Sequence, residues 1–174
     1  ADDFAVGASG YAANAGRVSI ILGVKAPATF PALVSLPTAY GTRAIKIDGA
    51  TAGERFGYGV IGAGKWLTGA GNTLVVLSPT ITGGSRVYAF HGQAGTAGDI
   101  PVANADATTD VGPSGRGGLS LLGSVGTSNF GVGVGASAWG ATGGKGWALM
   151  GNSTVGAFSA AKVSYTNSKA TSVD

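Results

Sequence analysis

The sequence predicts an all-β protein, on three observations. Short β-branched and aromatic runs bounded by Gly, Asn and Ser recur along the chain. Helix signals are nearly absent, because no capping box leads into an apolar period of three to four residues. Glycine accounts for 33 of 174 residues, a supply of turn formers suited to many short strands.

In chain order, strands are expected at FAVGA from Phe4, closed by Ser9-Gly10, and RVSIIL from Arg17, closed by Gly23. RAIKI from Arg43 ends at Asp48-Gly49, and GYGVIG from Gly57 ends at Ala63-Gly64. TLVVLS from Thr73 follows Asn72, and RVYAF from Arg86 precedes His91-Gly92. LSLL from Leu119, FGVGVGA from Phe130, WALMG from Trp147 and KVSYT from Lys162 complete the set, each bordered by Gly, Asn or Ser. Four-to-seven-residue apolar runs with such borders read as strands.

A long internal repeat organises these elements. Residues from Arg43 align with residues from Gly117 over nearly the whole of 43–92 and 117–167. Ile45, Ile47 and Gly49 match Leu119, Leu121 and Gly123; Phe56-Gly57 matches Phe130-Gly131; Trp66 matches Trp139; Leu74 falls on Trp147. FAVGASGYAANAGRVSIILG from Phe4 parallels LVVLSPTITGGSRVYAFHG from Leu74, which makes residues 1–23 half of a further copy. One such sheet cannot bury both faces alone, so copies must stack. Four short strands per copy point to β-propeller blades.

The stretch GERFGYGVIGAGKWLTGAGNTLVVLSPTITGGSRVYAFHG resembles the FG-GAP repeat of integrin α-subunit propellers and of many secreted bacterial proteins. Phe56-Gly57 and Phe130-Gly131 stand at the Phe-Gly position, Leu77-Ser78-Pro79 stands where Gly-Ala-Pro belongs, and Gly7-Ala8-Ser9 keeps two of those three residues. The resemblance implies an antiparallel four-stranded blade at 43–92, another at 117–167 and a half blade at 1–23, with insertions at 24–42 and 93–116. It further implies a calcium loop of the form Asp-x-Asn-x-Asp-Gly after the Phe-Gly strand. Here Lys65, Leu67, Gly69 and Thr73 occupy the four ligand positions, and SAWGATGGKGW in the next copy is equally free of carboxylates. Calcium takes six to eight oxygens, several of them anionic, so no calcium is expected in these loops. Asp2 and Asp3 are the one candidate remnant of a calcium site.

Composition narrows the function. Charged residues make up 11% of the chain, against about 25% in ordinary domains. The net charge of +3 is spread over eleven single Lys and Arg residues, too dilute for a phosphate-tracking stripe, so nucleic acid is not expected as a partner. Cysteine is absent, which excludes disulfides and thiolate metal sites. No apolar run approaches the roughly 18 residues of a membrane helix, so no membrane insertion is expected. The first residues, ADDFAVGAS, have neither a basic nor an apolar leader region, consistent with a mature secreted or cell-surface chain.

Catalytic and nucleotide motifs fail on inspection. Gly57, Gly59 and Gly62 spell G-x-G-x-x-G, yet no acid follows Glu54 until Asp99, and WLTGAGN is no helix former. Gly59 to Lys65 spells most of a P-loop, but Trp66 replaces the hydroxyl residue that would hold magnesium. His91, the only histidine, is expected at a surface or turn. Asp99, Asp106 and Asp110 lie in the insertion 93–116, expected to be a long solvated loop, and could supply a carboxylate pair. Trp66, Trp139 and Trp147 could form a glycan-stacking platform, but Trp66 and Trp139 are repeat-equivalent, and repeated aromatics are expected to pack between blades instead. Asn152 opens an N-x-S/T sequon.

Two and a half blades do not close a ring. The expectation is a non-enzymatic propeller segment, with no cofactor, that acts in adhesion or assembly and is completed by further blades, further copies or a protein partner. The alternative is a carbohydrate-binding or polysaccharide-processing module whose active residues lie in absent blades or in the insertions.

Overall fold

The computed structural model describes residues 3–25, 28, 29, 31, 34–64, 71–81, 84–92, 99–110, 118–125, 129–136, 145–151, 158–166 and 169–170, the strands from Gly118 onward as backbone. Every one of the ten expected strands is present, wholly or in part, and the chain is mostly β-sheet with two four-residue helical segments.

The first sheet contains β1 (Phe4–Ala8), β2 (Arg17–Ile21) and β3 (Ala44–Asp48), antiparallel in that order, with β7 (Ile100–Pro101) added in parallel to β3. The second is β4 (Gly59–Gly62), β5 (Thr73–Ile81), β6 (Gly84–His91) and β8 (Ala107–Asp110), all antiparallel. The third runs through β9 (Gly118–Val125), β10 (Asn129–Ala136), β11 (Lys145–Gly151), β12 (Phe158–Thr166) and the short β13 (Lys169–Ala170).

Two expectations are corrected by this topology. β3 is hydrogen-bonded to β2 and not to β4, so a unit that begins at Arg43 does not form one sheet. The reason lies in its side chains: Asp48 stands opposite Arg17, and Ile45 and Ile47 stand opposite Ile20 and Val18. The insertion 93–116 is also more than a solvated loop. After β6 the chain contributes β7 to the first sheet, turns through Val102–Asn104, and returns to the second as β8.

The core explains why the sheets stack. Alternation along β2 and β3 turns Val18, Ile20, Ile45 and Ile47 toward the second sheet and leaves Arg17, Ser19, Lys46 and Asp48 on the outer face. Val18 and Ile47 meet Phe56, Val76, Tyr88 and Phe90 in one cluster. Phe56 is fully buried, its ring edge-on to Tyr88 at 5.3 Å and to Phe90 at 6.2 Å, the arrangement aromatic quadrupoles favour. Val75, Leu77, Val87 and Ala89 point the other way and are equally buried. The second sheet is therefore covered on both faces, which accounts for the unbroken apolar run LVVL where a half-exposed strand would alternate. On its far side β9 approaches β4 and β12 approaches β8.

Close approach between the first two sheets depends on glycine. Gly57 has φ +81°, and a side chain at Gly7 would run into the Gly57 carbonyl oxygen. The glycines of GYGVIG thus serve a strand and a sheet contact. A similar role falls to Gly16 (φ +89°), which bridges to the backbone of Phe56.

Candidate functional site

The described chemistry concentrates at the junction of the first two sheets, in a polar clamp on one side and a cleft at one end. The clamp begins with α1 (Tyr11–Asn14), a one-turn segment in which Ala12 (φ 47°), Ala13 (φ 55°) and Asn14 (φ 62°) are all left-handed. Left-handed backbone is costly for residues with a Cβ, and its neighbours hold it in place. Gly53, Arg55 and Phe56 donate their backbone N–H groups to the carbonyls of Ala13, Asn14 and Ala15, and Gly49 donates to Gly16. Each carbonyl of the turn that would otherwise face the loop is satisfied by it.

Two acids fix that loop. Glu54, buried, accepts N–H bonds from Ala50 and Thr51, both at 3.2 Å, and its own carbonyl accepts the Ser78 hydroxyl. Burial raises its pKa, opposed by those two backbone bonds and by the positive charge of Arg86. Asp48 pairs with Arg17 through two parallel bonds, Nε to Oδ1 at 2.5 Å and Nη2 to Oδ2 at 2.8 Å. The Arg17 bond pulls the Asp48 carboxyl below the ordinary carboxylate range, against the opposing effect of burial. In return Asp48 raises the pKa of Arg17. The guanidinium also lies 3.8 Å from the Tyr11 ring centre and 5.4 Å from that of Tyr40. Tyr40 shares a 2.7 Å hydrogen bond with Ser19.

The cleft opens where the two sheets splay apart and encloses about 510 Å³. Ile20, Ile45, Val60, Leu74 and Phe90 give it apolar walls, and Asp3 and His91 lie among its polar lining. Asp3 accepts the Gly23 N–H at 2.7 Å, so this candidate calcium ligand ties the end of β2 to the start of β1. His91 is buried at the end of β6, with Nδ1 2.8 Å from the Thr73 hydroxyl and its backbone N–H donated to the Asp106 carboxylate at 2.6 Å. That corrects the expectation of a surface histidine: β6 continues through residue 91, and Thr73 on β5 stands directly opposite.

The carboxylates of the insertion are separated by their partners. Asp99 forms an ion pair with Lys46 at 3.0 Å and Asp106 caps His91, while Asp110 contributes backbone to β8 opposite Arg86. Asp2, Lys65, Trp66, Leu67, Gly69, Trp139 and Asn152 lie outside the described residues, and Trp147 is placed only as a backbone position of β11 opposite Lys162. Among the described residues, no three His, Asp or Glu side chains gather as a metal would require, and no helix is long and apolar enough to cross a membrane.

Sequence reasoning missed Arg17–Asp48 and Glu54. The available signal was scarcity: with eight acids in 174 residues, two that flank one short Gly-rich loop are conspicuous. No family model, curated protein or solved structure matches the chain.

Proposed function

We infer that this chain is a non-enzymatic β-propeller segment of a secreted or cell-surface protein, one that works in adhesion or as an assembly subunit and is completed by further blades or partner chains. The observation that carries this reading is the second sheet, a four-stranded antiparallel unit buried on both faces. The first sheet joins the half copy, β1 and β2, to β3, and the third sheet holds the strands of the copy at 117–167. Layering of like sheets through their faces is how blades bury apolar surface that none could bury alone.

The FG-GAP resemblance supports the same reading through Phe56, whose ring fills the space between two sheets at the place where the Phe-Gly pair recurs. The surroundings of the clamp and cleft favour binding over catalysis, because their acids and histidine are each engaged in holding backbone or a neighbouring side chain. Size-exclusion chromatography with light scattering on the purified chain tests the assembly. A discrete oligomer is expected, and a stable, well-folded monomer would overturn the self-assembling form of the reading.

A further inference from the structure

We propose that the apex formed by α1 and residues 49–58 is a docking surface for a carboxylated glycan, a chain of sugars that includes sugar acids. This rests on the adhesion arm of the reading above and adds to it the surface and the chemistry of the partner.

Arg55 has φ 57°, in the left-handed region that a residue with a Cβ enters only at a cost. The same loop meets that demand with glycine at Gly53 (φ +86°) and Gly57 (φ +81°), yet carries arginine between them. Neither burial nor pairing accounts for the choice, because Arg55 is exposed and pairs with no acid among the described residues. Its backbone is fixed at both ends, the N–H donated to Asn14 at 2.8 Å and the carbonyl accepting the Tyr58 N–H at 3.1 Å. The outcome is an unneutralised guanidinium on a firmly bonded root.

Tyr11 supplies a flat platform in the same apex. One face of its ring lies on the Arg17 guanidinium at 3.8 Å, and Asp48 grips that guanidinium through two bonds, so the ring is backed by a locked pair. Tyr11 is nonetheless 44% exposed. Bonds from Gly53, Arg55 and Phe56 to the carbonyls of Ala13, Asn14 and Ala15 join α1 to the loop, which sets Tyr11 and Arg55 on one rigid unit. Tyr58, 43% exposed, adds a second ring next to Arg55 in the chain.

These features select the partner. A guanidinium fork takes a carboxylate through two parallel bonds. Both acids of the apex are already engaged, Asp48 by Arg17 and Glu54 by the amides of Ala50 and Thr51, so neither competes for Arg55. A pyranose lays its C–H face on a tyrosine ring. Ala12, Ala13, Ala50 and Ala52 are also exposed here, and their small side chains suit a sugar ring stacked flat better than the deep anchors on which peptide recognition depends. The net charge of +3 favours an anionic partner as well.

The test titrates the full chain with tetragalacturonate and follows its backbone amides by NMR, with the methyl ester of the same oligomer and a tetraglutamate peptide as comparisons. Saturable shifts are expected at residues 11–14 and 50–58, with affinity lowered about tenfold by esterification and by Arg55→Gly. Arg55→Gly is also expected to match or exceed wild type in its urea midpoint, since glycine takes left-handed backbone without strain. A variant that loses stability along with affinity would make Arg55 a structural residue and overturn its assignment to the ligand. No shifts with millimolar oligomer on the folded chain, or equal binding of the ester, overturns the site. Tighter binding of tetraglutamate at the same amides overturns the glycan in favour of an acidic peptide. None of these results alters the oligomeric state read by light scattering, so failure of this surface is distinguishable from failure of the propeller-segment reading.

Discussion

Residues 43–92 and 117–167 share one sequence register, yet their opening strands pair in different ways. β3 crosses to the preceding sheet and joins β2, whereas β9 folds back on β10 as a hairpin. The connection to the Phe-Gly strand differs accordingly: residues 49–58 form an anchored loop in the earlier copy, and only residues 126–128 separate β9 from β10 in the later one. The spacing from Gly to Phe is the same in both, so length does not decide the outcome. What differs is the acids. Asp48 and Glu54 of the earlier copy align with Leu122 and Ser128 of the later. Without a carboxylate to grip Arg17, or one to cap the loop's own amides, the simplest way to satisfy the backbone is the local ladder of a hairpin. The lesson is that a repeat conveys strand identity and facing, while a few polar residues between strands choose the partner.

The strongest way to break this comparison is at the aromatic both copies share. Phe56→Ala removes a fully buried ring that touches Tyr88 and Phe90, and is expected to cost about 3–5 kcal/mol. Phe130→Ala is expected to cost less, because β10 is laddered on both sides to β9 and β11. Urea unfolding of the two variants checks this. Equal losses would mean that both Phe-Gly pairs are wedges of the same kind, and the contrast between anchored loop and hairpin would then have little energetic weight.

Much of this architecture was legible in the sequence, and the reason is physical. Strands such as RVSIIL, TLVVLS and RVYAF announce themselves through β-branched and aromatic residues, and a long repeat fixes their order. Partner choice was not legible, because β3 and β9 have the same apolar alternation and only long-range contacts distinguish them: Arg17 is 31 residues from Asp48. The buried state of His91 escaped for the same reason, since it depends on Thr73 across the sheet. α1 was invisible because nothing local predicts left-handed alanines; they persist through bonds from a loop some forty residues later.

A sharper and smaller cut removes the grip on β2. Asp48→Asn keeps the shape but loses the charge from a bidentate pair, and is expected to cost about 1 kcal/mol, kept low because the Asp48 side chain is 42% exposed. Its pH dependence has a definite sign. Asp48 titrates below its ordinary value in the folded chain, so its contribution is present at neutral pH and is lost as pH falls through that lowered value. Wild type and Asp48→Asn should therefore converge in stability in strong acid, and a gap that stays constant down to pH 2 would show that the pairing with Arg17 does not direct β3.

Glu54 gives the smallest effect and the opposite sign, which makes it the most discriminating. Its carboxyl is raised by burial, so between the ordinary carboxylate value and the raised one the folded chain holds more proton than the unfolded chain. Stability then falls as pH rises through that window and recovers on acidification. Glu54→Gln removes the titration. One amide oxygen can still accept from Ala50 or Thr51, while its NH2 group faces the other donor, a loss of about 1 kcal/mol offset by no longer burying a charge. The expected net change at pH 7 is thus under about 1 kcal/mol, but the gain in stability on acidification from neutral pH toward the ordinary carboxylate value should vanish. Urea midpoints measured across that range decide it: curves that run parallel in wild type and variant would mean the loop is held by its backbone bonds to α1 alone, and the carboxylate could then not be what separates the anchored copy from the hairpin copy.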